Sequence, residues 1–463
     1  MRQDQKYSGG STPMQESKLL TGNITKSLLV FALPMIAGNL LQQFYNIADT
    51  IIVGRFLGAD ALAAVGSSYT LMTFLTSIIL GLCMGSGASF SISYGKQDEV
   101  RMKGAIFQSF LFIGAVTVVL NLAVFLGINS IIWFLRVPAS VTDLMRDYLL
   151  VIFAGIPATF FYNYFACLLR SVGNSRIPLI FLAVSAVMNI VLDLLFVLSF
   201  HWGVAGAAFA TILSQYVSGI GLALYTLFHF PSLRPRKENF KWDKEIFREI
   251  TGFSFLTCIQ QSVMNFGILM VQGLVNSFGP VIMAAFAAAV KIDSFAYMPV
   301  QDFGNAFSTF IAQNFGAKKE DRIRQGIRSA FLVSFFFCLA VSLLVCIFAR
   351  PLMQIFVSAD ETQIIEAGVH YLRIEGSCYF GIGILFLLYG LYRAIARPGM
   401  SVVLTVISLG TRVLLAYTLS MVPWIGVTGI WLSVPIGWAL ADLTGIFVYR
   451  RLNRRHSNDK TTS

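Results

Sequence analysis

Charged side chains are scarce in this sequence: they make up 12% of its 463 residues, about half of what a soluble domain carries. That excludes a water-facing shell around a single core. Histidine is scarcer still. His201, His229, His370 and His456 stand alone near the ends of apolar runs, and no His-Glu-x-x-His occurs, so a zinc hydrolase of that kind is excluded. There is no phosphate-cradling glycine loop and no Gly-x-Ser-x-Gly elbow, which argues against ATP hydrolysis and against serine-hydrolase chemistry. Cys83, Cys167, Cys258, Cys338, Cys346 and Cys378 fall inside apolar runs at no metal-ligand spacing and read as packing residues. Without a paired nucleophile and base, the chain reads as no enzyme and needs no cofactor. Any work it does must draw on an ion gradient.

What the sequence has is apolar length. Hydrophobic residues make up 56% of it, and runs of about 20 residues, each able to cross a bilayer as a helix, recur between short polar loops. They are too long and too evenly apolar for the strands of a membrane barrel. Twelve spans are expected, near 27–50, 61–94, 105–127, 148–170, 178–200 and 204–230, then 250–277, 281–314, 328–349, 371–394, 401–421 and 427–449. The fold class is an all-α polytopic membrane protein. No cleavable signal is evident in the polar first 26 residues. The 41 phenylalanines and 15 methionines are expected to face lipid or packed helices, a minority lining a greasy, adaptable cleft.

Basic residues set the orientation. With the N-terminus cytoplasmic, one side collects Lys96, Arg101, Lys103, Arg170, Arg176, the Arg234–Arg248 linker, Lys318 to Arg328, Arg393, Arg397 and Arg450 to Arg455. The other side keeps little beyond Arg55, Arg136, Arg146, Arg350 and Arg373. This is the positive-inside pattern, and both termini are expected in the cytoplasm of a bacterial cell, the protein being integral to the cytoplasmic (inner) membrane. The formal charge of +11 suits an anionic lipid leaflet and calls for no nucleic acid.

The chain also repeats. An offset of 221 lays "GADALAAVG" (Gly58 to Gly66) over "GPVIMAAFA" (Gly279 to Ala287), and "YGKQDEVRMKGA" (Tyr94 to Ala105) over "FGAKKEDRIRQG" (Phe315 to Gly326). An offset of 223 sets Tyr148-Leu149 over Tyr371-Leu372, Arg170 over Arg393, and "GVAGAAFAT" (Gly203 to Thr211) over "GVTGIWLSV" (Gly426 to Val434). Two homologous six-helix lobes follow, 27–230 and 250–450. A cytoplasmic N-terminal segment (1–26), a cytoplasmic linker (231–249) and a cytoplasmic tail (451–463) complete the chain. An even number of spans per half makes the repeat parallel, with a cleft between lobes that rocking can open to either side. Two lobes in one chain make a monomer sufficient.

A carboxylate at membrane depth costs about 2.5–3.5 kcal/mol on insertion scales, so each needs a reason. Asp49 lies late in the first span, in "QQFYNIADTIIVG". In "MNIVLDLLF", Asn189 and Asp193 are four apart and share a helix face. Thr211 offers a hydroxyl in the next span. Together they form a hard oxygen set, suited to a proton or a small cation such as sodium rather than to a soft transition metal. The bland alternative is a solvated Asp49 and an Asp193 bonded to a neighbouring helix. Pro34, on the same span as Asp49, is either a hinge or a static packing kink.

The second half is chemically different. At the repeat offset Asn189 maps to Arg412 and Asp193 to Ala416. Its own intramembrane polar residues suggest a second site from Gln260, Gln261, Asp302 and Arg412. Lys291 and Asp293 read either as a solvated interfacial pair or as membrane-depth charges, and Glu375 falls near a span start.

At this point "LPMIAGNLLQQFYNIADTIIVGRFLGADALAAVG" (Leu33 to Gly66), "SYGKQDEVRMKG" (Ser93 to Gly104) with its repeat, and "LLRSVGNSRIP" (Leu168 to Pro178) resemble the multidrug and toxin extrusion (MATE) family over about residues 20–452. The resemblance implies two six-helix lobes in a V and an antiporter that exports cationic amphiphiles and drugs in exchange for sodium or protons. In one branch, Asp49, Asn189, Asp193 and Thr211 match a first-lobe cation site and Pro34 matches the proline of the bending first helix. Other branches place a glutamate in the seventh span, where this chain has Gln260 and Gln261. A flippase for a lipid-linked saccharide is the competing reading, although such clefts are expected to carry cationic residues for a pyrophosphate.

Overall fold

The computed structural model describes residues 17–134, 139–235 and 237–461; Arg136 and most of the N-terminal segment lie outside them. Every regular element among the described residues is helical, as a backbone in hydrocarbon requires when it must satisfy its own hydrogen bonds. Ten helices are long and apolar enough to cross a membrane, and two bent pairs bring the number to twelve. The first lobe runs Ile24–Phe56, Ala59–Gly95, Glu99–Leu126, the pair Ala139–Phe153 and Ile156–Ser171, Arg176–Asp193, and Gly203–His229. The second runs Lys244–Asn276, Pro280–Gly316, Glu320–Ile347, the pair Thr362–Gly376 and Tyr379–Ala394, Pro398–Ser420, and Val427–Thr461.

The fourth and tenth spans differ from the sequence expectation. They begin at Ala139 and Thr362 and bend by 42° and 50° at their breaks. At the breaks the ladder tightens to three-residue bonds, Gly155 N to Ile152 O at 2.9 Å and Cys378 N to Glu375 O at 3.0 Å. The outer halves carry Asp143, Arg146 and Asp147, and Glu366 and Arg373, so a search for uninterrupted apolarity starts too late. The seventh span begins at Lys244, where the Asp243 carboxylate caps the amides of Glu245 and Ile246. The last helix runs on past 451 to Thr461.

The repeat is written in the backbone. Positive φ occurs in matched pairs: Gly58 and Gly279 (90° and 96°), Gln97 and Lys318 (57° and 56°), Gly173 and Ala396 (88° and 60°), Gly203 and Gly426 (60° and 52°). Each pair is separated by one of the two sequence offsets, and so are the two bends. His201 (54°) has no such partner. It follows a departure peculiar to the first half, where the fifth span passes at Asp193 into a π-helix, Leu194–Ser199.

Two buried cores hold the lobes. One is built from first-lobe residues such as Val53, Phe90, Phe153 and Leu169, with Ile250. The other centres on Phe286, Phe307, Tyr392 and Trp431, and takes in Leu28, Phe31, Ala32 and Met35 from the first span. The first helix therefore packs with the second lobe along its early part and with the first lobe around Ile52 and Val53. The lobes are joined on the side of the described chain ends. Thr25 bonds Ser329 at 2.8 Å, Ser86 bonds Ser254 at 2.8 Å, and Gln313 Nε2 donates to Ser171 O at 2.7 Å. Arg101 pairs with Glu249 at the same end. Towards the other side, Phe44, Tyr69, Phe266 and Met283 are exposed on the first, second, seventh and eighth spans. The result is a V open away from the termini.

Candidate functional site

In the first lobe the structure brings Asp49, Asn189, Asp193 and Thr211 together. The Asp49 and Asp193 carboxyl groups are direct neighbours, with Tyr148 beside both. Asn189 and Asp193 are 1% and 0% exposed. Asn189 Nδ2 donates to Thr211 Oγ1 at 3.3 Å, and that hydroxyl donates to Ala207 O at 3.1 Å. Thr211 thereby orients the carboxamide so that its Oδ1 is left over. Asp49 Oδ1, Asn189 Oδ1 and both Asp193 oxygens are buried without a hydrogen-bond donor. Buried acceptors almost always have partners, and two adjacent carboxylates in a low dielectric need a counter-charge. A proton or a small hard cation meets both demands. The wide π turn that begins after Asp193 is the kind of irregularity that recurs at functional positions.

Pro34 sits inside a helix that continues through it. It removes one backbone bond from the ladder, and next to that gap Ser175 Oγ donates to Phe31 O at 2.7 Å. Pro34 lies within the part of the helix held by the second lobe, which takes in Met35 beyond it, and well before Ile52 and Val53, which the first lobe holds. Five residues on, Asn39 Nδ2 donates to both oxygens of Asp302 at 2.7 Å, joining first and eighth spans across the cleft.

A cavity of about 280 Å³ lies between the lobes and is lined by Pro34, Asn39, Arg170, Asp302 and Arg393 among others. Its walls mix hydroxyls and amides, from residues such as Gln42, Thr159, Asn163, Gln215 and Asn305, with apolar side chains such as Leu80, Met84, Leu179 and Leu182. No phenylalanine among the described residues lines it. Of the residue types expected to line a greasy cleft, methionine does so here, through Met35 and Met84, and phenylalanine lies elsewhere.

The suggested second-lobe set is not brought together. Asp302 binds Asn39. Gln260 and Gln261 are buried at 3% and 7% exposure, close to where Gly81 lies against the Cys258 backbone. Arg412 instead lies near Asp293 and Glu375. Asp293 is buried and accepts from Tyr379 Oη, which corrects its reading as half of a solvated pair. Lys291 is exposed on its own, 5.8 Å from the centre of the Phe356 ring. Glu375 Oε2 and Arg412 Nε are buried without partners.

Sequence reasoning missed three residues. Arg170 and Arg393 enter the sequence reading only as basic residues of one membrane side, at the ends of the fourth and tenth spans, yet they line the cavity; their repeat-matched positions were the available signal. Asp442 is buried at 6% exposure with Oδ1 unpartnered, and a carboxylate amid the twelfth apolar run was signal enough.

Comparison with known proteins follows the same lines. The MatE family profile matches residues 34–195 and 254–418, one match in each half. The chain is 30% identical over 431 residues to the probable multidrug resistance protein YpnP of Bacillus subtilis, covering 93% of this chain and 95% of that one. It is 25% identical over 453 residues to a FAD transporter of Shewanella oneidensis, covering 94% and 96%. A crystal structure of a MATE transporter in the bent conformation superposes with a TM-score of 0.89 at 23% identity, covering 96% of this chain and 99% of that one. Twelve spans in two matched halves, a V joined at one end, and a profile that matches twice lead to one family: the chain belongs to the MATE family of multidrug efflux transporters, and is a transporter rather than an enzyme.

Proposed function

We propose that this protein is a secondary antiporter that exports amphiphilic organic molecules, drugs among them, in exchange for sodium or protons. The coupling ion binds at Asp49, Asn189 and Asp193, with Thr211 orienting the carboxamide. One observation carries this reading: four acceptor oxygens of Asp49, Asn189 and Asp193, three of them carboxylate, are buried without a donor. The V open away from the termini supports an outward-facing state. With both termini cytoplasmic, as the basic residues suggest, the cleft opens to the exterior of a bacterial cytoplasmic membrane. Neutralising the acid pair removes its need for a counter-charge and favours rearrangement of the first helix. Pro34 is the hinge of that motion, because it removes a backbone bond where the first helix lines the cavity between the lobes. The acidic site suits the coupling ion; the charge of the cargo is set separately by the cavity, where the fixed charges are Arg170, Arg393 and Asp302. A monomer contains both lobes and the whole cleft.

The test is efflux from liposomes loaded with ethidium, norfloxacin or fluorescein, with sodium and pH gradients imposed separately on wild type and Asp193→Asn. Gradient-driven efflux of any of them, lost in the variant, supports the reading and identifies the ion. Efflux untouched by the substitution retires the first-lobe site. No efflux of any of the three from folded protein turns the reading to a flippase for a lipid-linked saccharide.

A further inference from the structure

The cavity lining sets two arginines, Arg170 and Arg393, against one carboxylate, Asp302. Arg393 is 5% exposed, and its guanidinium donates only to neutral partners, Asn305 Oδ1 at 3.0 Å and Ser308 Oγ at 3.4 Å. Arg170 has a buried Nε with no hydrogen-bond partner. The ion pairs within 4.0 Å among the described residues are Arg101–Glu249 and Lys103–Glu99, so neither cavity arginine belongs to one. The carboxylate on the lining, Asp302, gives both oxygens to Asn39. It lies near enough to Arg170 to feel its charge, but it is one negative charge against two positive. The arginines come from the inner ends of the fourth and tenth spans, stand at matching positions of the repeat, and both lie close to Cys167.

Burying a guanidinium without a counter-ion is costly, and a fixed pair of them inside a cavity repels a cationic ligand. Arginine presents a planar fork that matches carboxylate and phosphate oxygens. We infer that Arg170 and Arg393 form an anion subsite, and that the cargo of this transporter includes amphiphiles bearing a carboxylate or phosphate, as zwitterions or organic anions. The inference rests on the export reading and sharpens its substrate class. The cavity volume of about 280 Å³ suits a polar head group rather than a whole drug, which typically fills a site of about 300–1,000 Å³. The hydroxyls and amides of the walls serve the rest of that head group, and the apolar part of the cargo extends into the open V. Charge is thereby divided along the first span, an acidic site at Asp49 for the coupling ion and a basic floor for the cargo.

The experiment measures fluorescein and ethidium binding by fluorescence anisotropy to the full-length protein in detergent, for wild type, Arg170→Gln, Arg393→Gln and the matching lysine variants. Wild type is expected to bind fluorescein, and either glutamine to weaken it by about tenfold or more, as loss of a charge-assisted bond does. Lysine should retain part of the affinity, through its charge but without the fork, and ethidium binding should stay level or tighten. Ethidium bound in preference to fluorescein, or fluorescein bound equally by the glutamine variants, overturns the inference. So does equal loss of both dyes in glutamine and lysine variants of native melting temperature, which makes the arginines structural. Displacement of fluorescein by benzoate supports the subsite with a soluble cargo, displacement by short-chain phosphatidylglycerol alone supports it with a lipid head group as the source of the anion, and displacement by neither overturns it. Ion-driven ethidium efflux without fluorescein binding sinks the anion subsite and leaves transport standing. Fluorescein binding through the arginines without ion-driven efflux of any dye does the reverse.

Discussion

Gly95 and Gly316, repeat partners 221 residues apart, pack against each other's helices where the second and eighth spans cross, on the side of the described chain ends. A Cβ on Gly95 would strike the backbone carbonyl of Gln313, and one on Gly316 would strike that of Ile92. Ile92 and Gln313 are themselves repeat partners, so the contact is two-fold, and the local axis relating the lobes passes through it. Backbone lies against backbone here, so the clash cannot be relieved by a side-chain rotation. Gly95→Ala and Gly316→Ala should each disfavour this closed inner side by about 1–3 kcal/mol, the usual cost of overpacking. Electron–electron distance measurements between spin labels at Lys96 and Glu320 should show a broader and longer distribution in either variant. An unchanged distribution in both would mean that the crossing is not what holds the inner side shut.

Ser86 and Ser254 meet at 2.8 Å across the same inner contact. In a background lacking the six native cysteines, Ser86→Cys with Ser254→Cys should form a disulfide that arrests transport, with activity returning on reduction. A cross-linked protein that still turns over would show that the second and seventh spans stay together throughout the cycle.

Asn39 and Asp302 tie the first helix to the eighth by two hydrogen bonds at 2.7 Å. Asp302→Asn sets one amide against another and leaves a donor unpaired, a cost of about 1–3 kcal/mol. The substitution also removes the negative charge on the cavity wall. Two readouts should move together: a lower melting temperature and tighter binding of an anionic dye. A melting temperature that falls with no change in dye affinity would leave Asp302 a purely structural tie.

Much of this was legible in the sequence, for physical reasons that differ from residue to residue. Apolar length announces a membrane helix because nothing else tolerates it, so ten spans stand close to where hydropathy puts them. Asp49 and Asp193 are conspicuous because a carboxylate in hydrocarbon is expensive, and the four-residue spacing of Asn189 and Asp193 places them on one face. The bends after Phe153 and Gly376 were not legible, since amphipathic outer segments look like loops to an apolar window. Arg412 was recognisable as a buried cation, but its neighbours come from the eighth and tenth spans, and spacing says nothing about which helices touch. Arg170 and Arg393 were hidden by their helix ends, where a basic residue ordinarily meets water.

Pro34 interrupts the backbone ladder of the first helix ahead of the stretch where its packing passes from the second-lobe core, at Met35, to the first-lobe core, at Ile52 and Val53. Pro34→Ala restores the missing backbone donor and should stiffen the joint. Efflux should slow by about tenfold while sodium or proton binding at Asp193 is kept, because binding and bending are then uncoupled. Equal loss of ion binding would place the defect in the site itself rather than in the hinge.

In the second lobe, Arg412 is the cation nearest a buried acid pair, Asp293 and Glu375, with Tyr379 donating to Asp293. Two carboxylates deprived of it would be left with no positive charge beside them, and breaking a buried charge arrangement on one side costs about 3–5 kcal/mol. Because Arg412 Nε has no hydrogen-bond partner and the interaction acts across a gap, the lower end of that range is the expectation. Arg412→Met should therefore lower the melting temperature of the solubilised protein by several degrees. Glu375→Gln added to it should recover a large part of the loss, since a single remaining carboxylate keeps its Tyr379 donor. The double variant is the decisive measurement. Simple additivity would show that Arg412 stabilises the lobe through packing of its stem, whereas recovery would show that its charge is what the acid pair requires.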